Sequence, residues 1–160
     1  MPDDEFRNPA ELIADASTAA GAELTLRIGV DVVGVARIEK LVRDDARRQE
    51  ALFTRRELDY CHGKRRCYEH LAARFAAKEA VLKAFGTGIS QRMRWTEVEI
   101  VNAPNGRPTV TLAGAVASFA ERHGLVDLDV SLSHAEGIAI AQAITSWRGR
   151  PWEESLDAPT

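Results

Sequence analysis

The sequence predicts a single domain that mixes helices with strands. Its 160 residues suit one domain of ordinary size, and the 45% hydrophobic and 28% charged residues are typical of a chain that folds around a core. Several short segments alternate apolar and polar residues, as strands do, and one longer segment repeats apolar residues at helical spacing. We expect the domain to cover residues 24–146, between an N-terminal extension (1–23) and a C-terminal tail (147–160).

The first predicted strand begins at Leu24. Apolar residues alternate there with Arg27, Gly29 and Asp31, which is typical of a strand that buries one face. A helix over 35–48 follows, because apolar residues recur every three or four positions. The pattern from Thr54 to Glu57 is a capping box and predicts a short second helix.

The longest predicted helix runs from about Arg66 to Phe85 and ends at Gly86, because its apolar residues fall within one narrow arc. Beyond it we predict a hairpin, a helix and two further strands. Their ranges are 96–102 and 108–112 for the hairpin, 113–123 for the helix, and 127–133 and 138–145 for the last strands.

The charge is unevenly distributed along the chain. The formal net charge is −3, but residues 37–94 carry fifteen basic and eight acidic residues, and both flanks are acidic. A nearly neutral total argues against a general nucleic-acid binder. The basic middle segment could attract an acidic partner, or it could simply be a set of solvated helix faces.

The sequence also predicts a cytoplasmic protein. Cys61 and Cys67 are the only thiols, too few and too closely spaced for a disulfide framework, which favours a reducing compartment. No stretch approaches the length of apolar residues that spans a membrane, and the acidic start does not resemble a signal peptide. We expect neither a membrane nor a nucleic acid as a partner.

Two carboxylates stand out in this pattern. Asp31 shares a strand face with Gly29, whose missing side chain leaves room for a ligand or another backbone. It could be a metal ligand, a helix cap or a member of a salt bridge. Glu79 falls at the rim of the buried arc of the long helix, where it could bind a metal or form a surface pair with Lys83.

For three further side chains the sequence does not decide the role. Lys78 falls within the apolar arc and Arg74 lies one turn before it, so both could bury their stems and extend their charges to solvent. His134 ends a predicted strand beside a tight loop. It could contact an anion or satisfy the loop backbone.

Three segments in this order resemble the holo-acyl-carrier-protein synthases, the short-chain group of 4′-phosphopantetheinyl transferases. The segments are Gly29-Val30-Asp31 with Arg37-Ile38, then Arg74 to Ala80 with Lys83 to Ile89, and finally Ser131-Leu132-Ser133-His134. The resemblance implies an α+β fold, with a long helix packed on an antiparallel sheet, and a homotrimer with active sites between neighbouring subunits.

The resemblance also implies an activity. A member of this family transfers phosphopantetheine from coenzyme A to a serine of an apo acyl carrier protein and releases adenosine 3′,5′-bisphosphate. Asp31 and Glu79 match its Mg²⁺ ligands, and Val33 replaces an acid of the longer relatives, which leaves two protein ligands. The serine proton could pass to a carboxylate, for which Glu79 is preferred, or to a metal-bound water.

The remaining site residues follow from the same resemblance. Lys83 matches a catalytic lysine near the coenzyme phosphates. Other positions match coenzyme A contacts, namely Arg74, Gly86, Thr87, Gly88 and His134. Arg37 matches a carrier-docking position, and Arg43, Arg47 and Arg48 could extend that basic face.

Two other functions are compatible with parts of this pattern. A non-catalytic subunit that binds coenzyme A or the acyl carrier protein would also use a basic middle segment. A metal-dependent phosphohydrolase has no motif of its own here. Carrier proteins of fatty-acid and of polyketide synthesis fit equally well.

Overall fold

Helices and antiparallel strands form an α+β fold over residues 23–90 and 92–149, the parts of the chain that this computed structural model describes. Residues 1–22 of the predicted extension and 150–160 of the predicted tail lie outside them. The strands are β1 (Leu24–Gly34), β2 (Val98–Asn102), β3 (Pro108–Leu112), β4 (Leu125–Ala135) and β5 (Ile138–Arg148). The helices are α1 (Val35–Val42), α2 (Ala46–Leu52), α3 (Arg55–His62), α4 (Cys67–Ala84) and α5 (Gly114–Arg122), with a 3₁₀ turn at Trp95–Glu97.

The strands form two antiparallel sheets. The larger has the order β1-β5-β4, with Asp31 opposite Ala141 and Ala141 opposite Leu132. The smaller is the predicted hairpin of β2 and β3, whose turn is closed by the Gly106 N–H donating to the Ala103 carbonyl at 2.8 Å. Gly106 has a φ of +84°, which explains the glycine at this position.

The long helix α4 lies on the inner face of the larger sheet. Both contacting surfaces are built from small residues, which let the two backbones come close. The buried members are Gly29, Ala139, Ala141 and Ala143 on the strands and Ala73, Ala76, Ala77, Ala80 and Ala84 on the helix. The contact is tight at Gly29, where an added Cβ would lie 1.9 Å from the Ala80 carbonyl oxygen. The missing side chain of Gly29 therefore leaves room for another backbone, one of the two alternatives that the sequence predicts beside this residue.

The outer face of the same sheet is apolar and uncovered in a single chain. Alternation would normally bury the apolar side of β1, but that side is exposed, with Ile28 62% accessible. The exposed residues are Leu24, Leu26, Ile28, Val30 and Val32 on β1 and Ile138, Ile140 and Ile144 on β5. Helix α4 covers the opposite, mixed side of the strand.

A buried ion pair joins α4 to α3 and the hairpin. Lys78 and Glu57 are both fully buried, with Lys78 Nζ 2.8 Å from Glu57 Oε2. The ammonium also donates to the Trp95 and Val98 carbonyls, at 2.9 and 2.6 Å. The expectation that Lys78 extends to solvent is therefore wrong, because the fold supplies three acceptors inside the protein.

Two differences from the predicted boundaries change the helix or domain limits, whereas the other elements begin and end within two residues of their predicted limits. The helix expected over 35–48 is broken into α1 and α2, because the Asp45 side chain accepts from the Arg48 N–H at 2.9 Å and begins a new helix. Trp147 and Arg148, placed in the tail by the sequence pattern, are the end of β5. Trp147 is fully buried and packs on Phe85, so the domain includes them.

No helix within residues 23–90 and 92–149 combines the length and apolar character needed to cross a bilayer.

Replacing Gly29 with alanine should destabilise the fold strongly. The new methyl group would overlap the Ala80 carbonyl and the Ala84 nitrogen, both of which are backbone atoms within a helix. We expect a loss of roughly 3 kcal/mol in the free energy of unfolding, measured by chemical denaturation. Gly34→Ser is the control, because a Cβ at Gly34 meets only the Arg37 Cβ, 4.0 Å away, and it should change stability by about 0.5 kcal/mol or less. Equal losses in the two variants would contradict this account.

Candidate active site

Asp31, Glu79 and Lys83 form one cluster beside α4. Asp31 points toward the helix because it shares the inner face of β1 with Gly29. It does not cap α1, whose N-cap is Gly34 without a side-chain bond. It forms a salt bridge instead, with Lys83 Nζ 2.7 Å from Asp31 Oδ1. Of the two structural alternatives for Asp31, the salt bridge is therefore the one observed.

Lys83 ties the helix to the strand. Its ammonium also donates to the Val30 carbonyl at 3.1 Å. The hydrogen bond with Asp31 raises the pKa of Lys83 and keeps it charged. The simple Glu79–Lys83 surface pair is not the observed arrangement, since the lysine turns toward β1.

Glu79 is half-buried, as the helical pattern predicts. Burial raises the pKa of the Glu79 carboxyl, and the negative charge of Asp31 raises it further, while Lys83 and Arg37 oppose both effects. Asp31 is thus close enough to Glu79 to disfavour the charged form of the Glu79 carboxyl. A cation placed between them would relieve that repulsion.

The loop after α4 contains three of the residues predicted to contact coenzyme A, namely Gly86, Thr87 and Gly88. Gly86 and Gly88 both adopt positive φ, at +73° and +57°, a conformation that favours glycine. Between them, Thr87 lines an open cavity of about 600 Å³ that also contacts Ser90 and Arg92. The loop can therefore bring backbone groups close to a ligand.

Arg74 and His134 belong to a second cluster, around a cavity of about 460 Å³. Arg74 is 3% exposed, so the expectation that it extends to solvent is wrong. Its guanidinium donates to Asn102 Oδ1 at 2.8 Å and lies 4.2 Å from the centre of the Tyr60 ring. His134 Nδ1 lies 3.1 Å from Glu69 Oε2. The histidine thus has a carboxylate neighbour, an alternative that the sequence did not suggest.

Several residues of this second cavity carry no signal in the sequence. Tyr60, His70 and Asn102 come from three separate elements, and only the tertiary fold brings them together. The His70 ring meets that of His134 edge to face, with centroids 5.6 Å apart. Burial lowers the pKa of His70, and the charge of Arg74 lowers it further.

The two clusters lie on opposite flanks of α4. Asp31 is on β1 and His134 is on β4, with β5 between them. Neighbouring strands are about 4.8 Å apart, so these backbones are separated by roughly 10 Å, with the helix packed above them. Within one chain, each cluster faces its own side of the helix.

The predicted carrier-docking arginines are exposed. Arg37 lies on α1, Arg43 directly follows it, and Arg47 lies on α2. Arg43 is paired with Glu39, one turn earlier, and Arg48 with Asp45 at 3.4 Å. Because Arg37 is near enough to lower the pKa of Glu79, this basic surface borders the first cluster.

The part of the chain that contains both clusters matches the model of a known protein family. The model of the 4′-phosphopantetheinyl transferase superfamily matches residues 27–143, which include all the site residues described above. The chain belongs to this superfamily. The resemblance seen in the sequence motifs is thereby confirmed.

Individual relatives agree with this membership. The holo-[acyl-carrier-protein] synthase of Desulforudis audaxviator is 48% identical over 122 residues, covering 76% of this chain and 92% of the relative. That of Geobacter sulfurreducens is 43% identical over 117 residues, covering 72% and 93%. The crystal structure of the Helicobacter pylori enzyme in complex with coenzyme A has a TM-score of 0.65 and 31% identity, covering 74% and 98%. The predicted α+β phosphopantetheinyl transferase fold is confirmed.

Replacing Glu79 with glutamine should stabilise the protein at neutral pH when no divalent cation is added. A carboxyl whose pKa is raised in the folded protein ionises more easily in the unfolded chain. The stability of the fold therefore decreases as the pH rises from the pKa of this carboxyl in the unfolded chain through its pKa in the folded protein. Glutamine removes this loss. We expect a higher unfolding midpoint than that of the native protein at pH 7 and a smaller difference near pH 4, measured by thermal denaturation. Glu50→Gln, at an exposed position on α2, should shift neither value.

Proposed function

We propose that this chain transfers the 4′-phosphopantetheine group of coenzyme A to a serine of an apo acyl carrier protein and releases adenosine 3′,5′-bisphosphate. One observation carries the proposal. In a member of the phosphopantetheinyl transferase superfamily, the fold brings Asp31, Glu79 and Lys83 into one cluster at the contact between α4 and β1. Relatives named holo-[acyl-carrier-protein] synthase at 43–48% identity support the same reaction.

We further propose that Asp31 and Glu79 hold a Mg²⁺ ion. The fit rests on the donor set, since Asp31 and Glu79 supply the oxygen ligands that Mg²⁺ prefers, and a cation between them would offset the repulsion that raises the pKa of Glu79. Among the described residues no group of three or more histidine, cysteine or acidic side chains could hold a metal, so two protein ligands are expected. When bound, the ion would neutralise charge on the coenzyme phosphates.

The protein's own groups then have distinct tasks in the transfer. A bond forms between the carrier serine oxygen and the phosphorus that bears pantetheine, and the bond from that phosphorus to the adenosine bisphosphate oxygen breaks. Lys83, charged and held by Asp31, would stabilise the negative charge that gathers on the leaving group. We assign the serine proton to Glu79, because its carboxylate belongs to the cluster at which the serine must arrive.

The second cluster suits the nucleotide end of the coenzyme. Coenzyme A carries a diphosphate, which belongs beside Lys83, and a separate 3′-phosphate. We assign the 3′-phosphate to Arg74 and His134, because a guanidinium and an imidazole in one cavity favour an anion. The loop of Gly86, Thr87 and Gly88 would let backbone groups approach the molecule between the two ends.

We propose that the protein is a homotrimer with each active site between neighbouring subunits. The uncovered outer face of the larger sheet supports assembly, since contiguous apolar surfaces of this kind are normally buried against another chain. The two clusters lie on opposite flanks of α4, and this separation supports an active site that two subunits share. One coenzyme could then contact the first cluster of one subunit and the second cluster of its neighbour.

The carrier protein would dock on the basic surface of Arg37, Arg43 and Arg47. These side chains border the first cluster, where the serine must arrive. The competing proposal is a subunit that binds coenzyme A or the carrier without turnover, and this surface alone would permit it. The raised pKa of Glu79 beside Asp31 favours the enzyme, because a binding subunit has no need for a carboxylate pair of this kind.

We also propose a cytoplasmic location. Both cysteines are free thiols, and burial raises the pKa of Cys61 to about 12. Free thiols support a reducing compartment.

Exchange of either carboxylate should abolish the transfer. With Mg²⁺, coenzyme A and an apo acyl carrier protein, the native enzyme should add the mass of phosphopantetheine to the carrier, as detected by intact-protein mass spectrometry. Asp31→Ala and Glu79→Ala should each lower the rate by at least about 100-fold, since each removes a carboxylate that would hold positive charge beside the reacting phosphate. Asp59→Asn, an exposed site on α3, is the control and should retain the native rate.

Three outcomes separate the competing functions. No mass gain with several carrier proteins would reject the enzyme. Full activity in both alanine variants would reject the assigned site. Retained carrier affinity with no turnover in the native protein would instead identify a binding subunit.

Mixed oligomers should reveal whether the sites are shared. Subunits of Asp31→Ala and Arg74→Ala are each defective, but co-assembled they should regain roughly a quarter of the native activity, because random mixing leaves that share of sites with both clusters intact. Mixing Asp31→Ala with Glu79→Ala is the control and should restore nothing, since both residues belong to the first cluster. Light scattering should give the mass of three subunits. A monomer, or no recovery in the first mixture, would contradict the proposal.

A further inference from the structure

Asn102 connects the two walls of the second cavity. It is the last residue of β2, and its side-chain oxygen accepts from Arg74 Nη2 at 2.8 Å. Its side-chain N–H donates to the Gly106 carbonyl in the hairpin turn, also at 2.8 Å. A single amide therefore holds both the helix side of the cavity and the turn that faces it.

Arg74 has few other constraints on its orientation. Its second polar contact is a long one, from Nη1 to the His70 carbonyl at 3.4 Å, and the Tyr60 ring lies against its face. An aromatic ring supports a guanidinium but leaves it free to rotate in its plane. The Asn102 bond removes that freedom and leaves further guanidinium N–H groups for an anion in the cavity.

We infer that Asn102 is a positioning residue that orients Arg74 toward the 3′-phosphate of coenzyme A and so sets the preference for 3′-phosphorylated coenzyme. The inference rests on the proposed function, which assigns the 3′-phosphate to this cavity. Asn102 itself needs no contact with the coenzyme. Its effect passes through the guanidinium, and this distinguishes it from a residue that only stabilises the hairpin.

The test compares coenzyme A with 3′-dephospho-coenzyme A as substrates of the full-length protein. Asn102→Ala should lower kcat/KM for coenzyme A roughly tenfold, the effect of losing one hydrogen bond to a charged group, and should leave kcat/KM for the dephospho compound within about twofold of native. Thr109→Val is the matched control. It removes a hydrogen bond from Thr109 to the Val101 carbonyl in the same hairpin but does not touch Arg74, so the native preference should remain.

A double variant tests the path of the effect. If Asn102 acts through Arg74, the variant Arg74→Ala with Asn102→Ala should behave like Arg74→Ala alone. Asn102→Ser provides the same measurement should the alanine variant fold poorly, because serine suits the end of a strand beside a turn but is too short to reach the guanidinium. Equal losses for both substrates, or additive losses in the double variant, would overturn the inference.

A binding measurement separates this inference from the proposed function. By calorimetry, Asn102→Ala should bind adenosine 3′,5′-bisphosphate roughly tenfold more weakly than the native protein and adenosine 5′-monophosphate equally well. That pattern in a protein that transfers nothing would leave the inference standing and reject the proposed function. Transfer by the native enzyme with no change in either affinity would reject the inference alone.

Discussion

The close approach of α4 to the larger sheet is the constraint on which the site depends. A Cβ at Gly29 would lie 1.9 Å from the Ala80 carbonyl oxygen, so the distance between helix and strand is set by the absence of one methyl group. Asp31 is two residues further along the same face, and Glu79 directly precedes Ala80. Because packed interiors transmit small displacements, the residue that fixes this contact also fixes the spacing of the two carboxylates.

The Glu57–Lys78 pair fixes the other side of the helix. Glu57 Oε1 accepts from the Ile100 N–H and Oε2 from the Thr54 N–H, while Lys78 donates to two carbonyls. A buried ion pair adds little net stability, but removal of one partner leaves an unpaired charge, which typically costs about 3–5 kcal/mol. The pair therefore acts mainly as a specific connection. It sets the rotation of α4 that directs Glu79 toward β1 and Arg74 toward the second cavity.

Features set by local sequence were predictable, and features set by tertiary partners were not. The extent of α4, the capping box at Thr54 and the hairpin turn at Gly106 depend on near neighbours, and the structure has all three. The burial of Lys78 depends on carbonyls 17 and 20 residues away. Alternation in β1 shows that its faces differ but not which face the helix covers, and α4 packs on the mixed face while the apolar one stays exposed in the single chain. The sequence identifies Glu57 only as a capping residue, because no residue near it in the chain indicates that it also forms an ion pair with Lys78.

The distribution of charge along the sequence likewise does not predict where the charged side chains lie in the fold. Residues 37–94 are strongly basic, yet their lysines and arginines do not form one surface. Lys78 is neutralised inside the protein, Lys83 is held by Asp31, and Arg74 faces a cavity. The arginines on and beside α1 and α2 are among those exposed to solvent. A basic segment of sequence is thus divided by the fold into cations that are paired within the protein, a cation that lines a cavity and cations that are exposed to solvent.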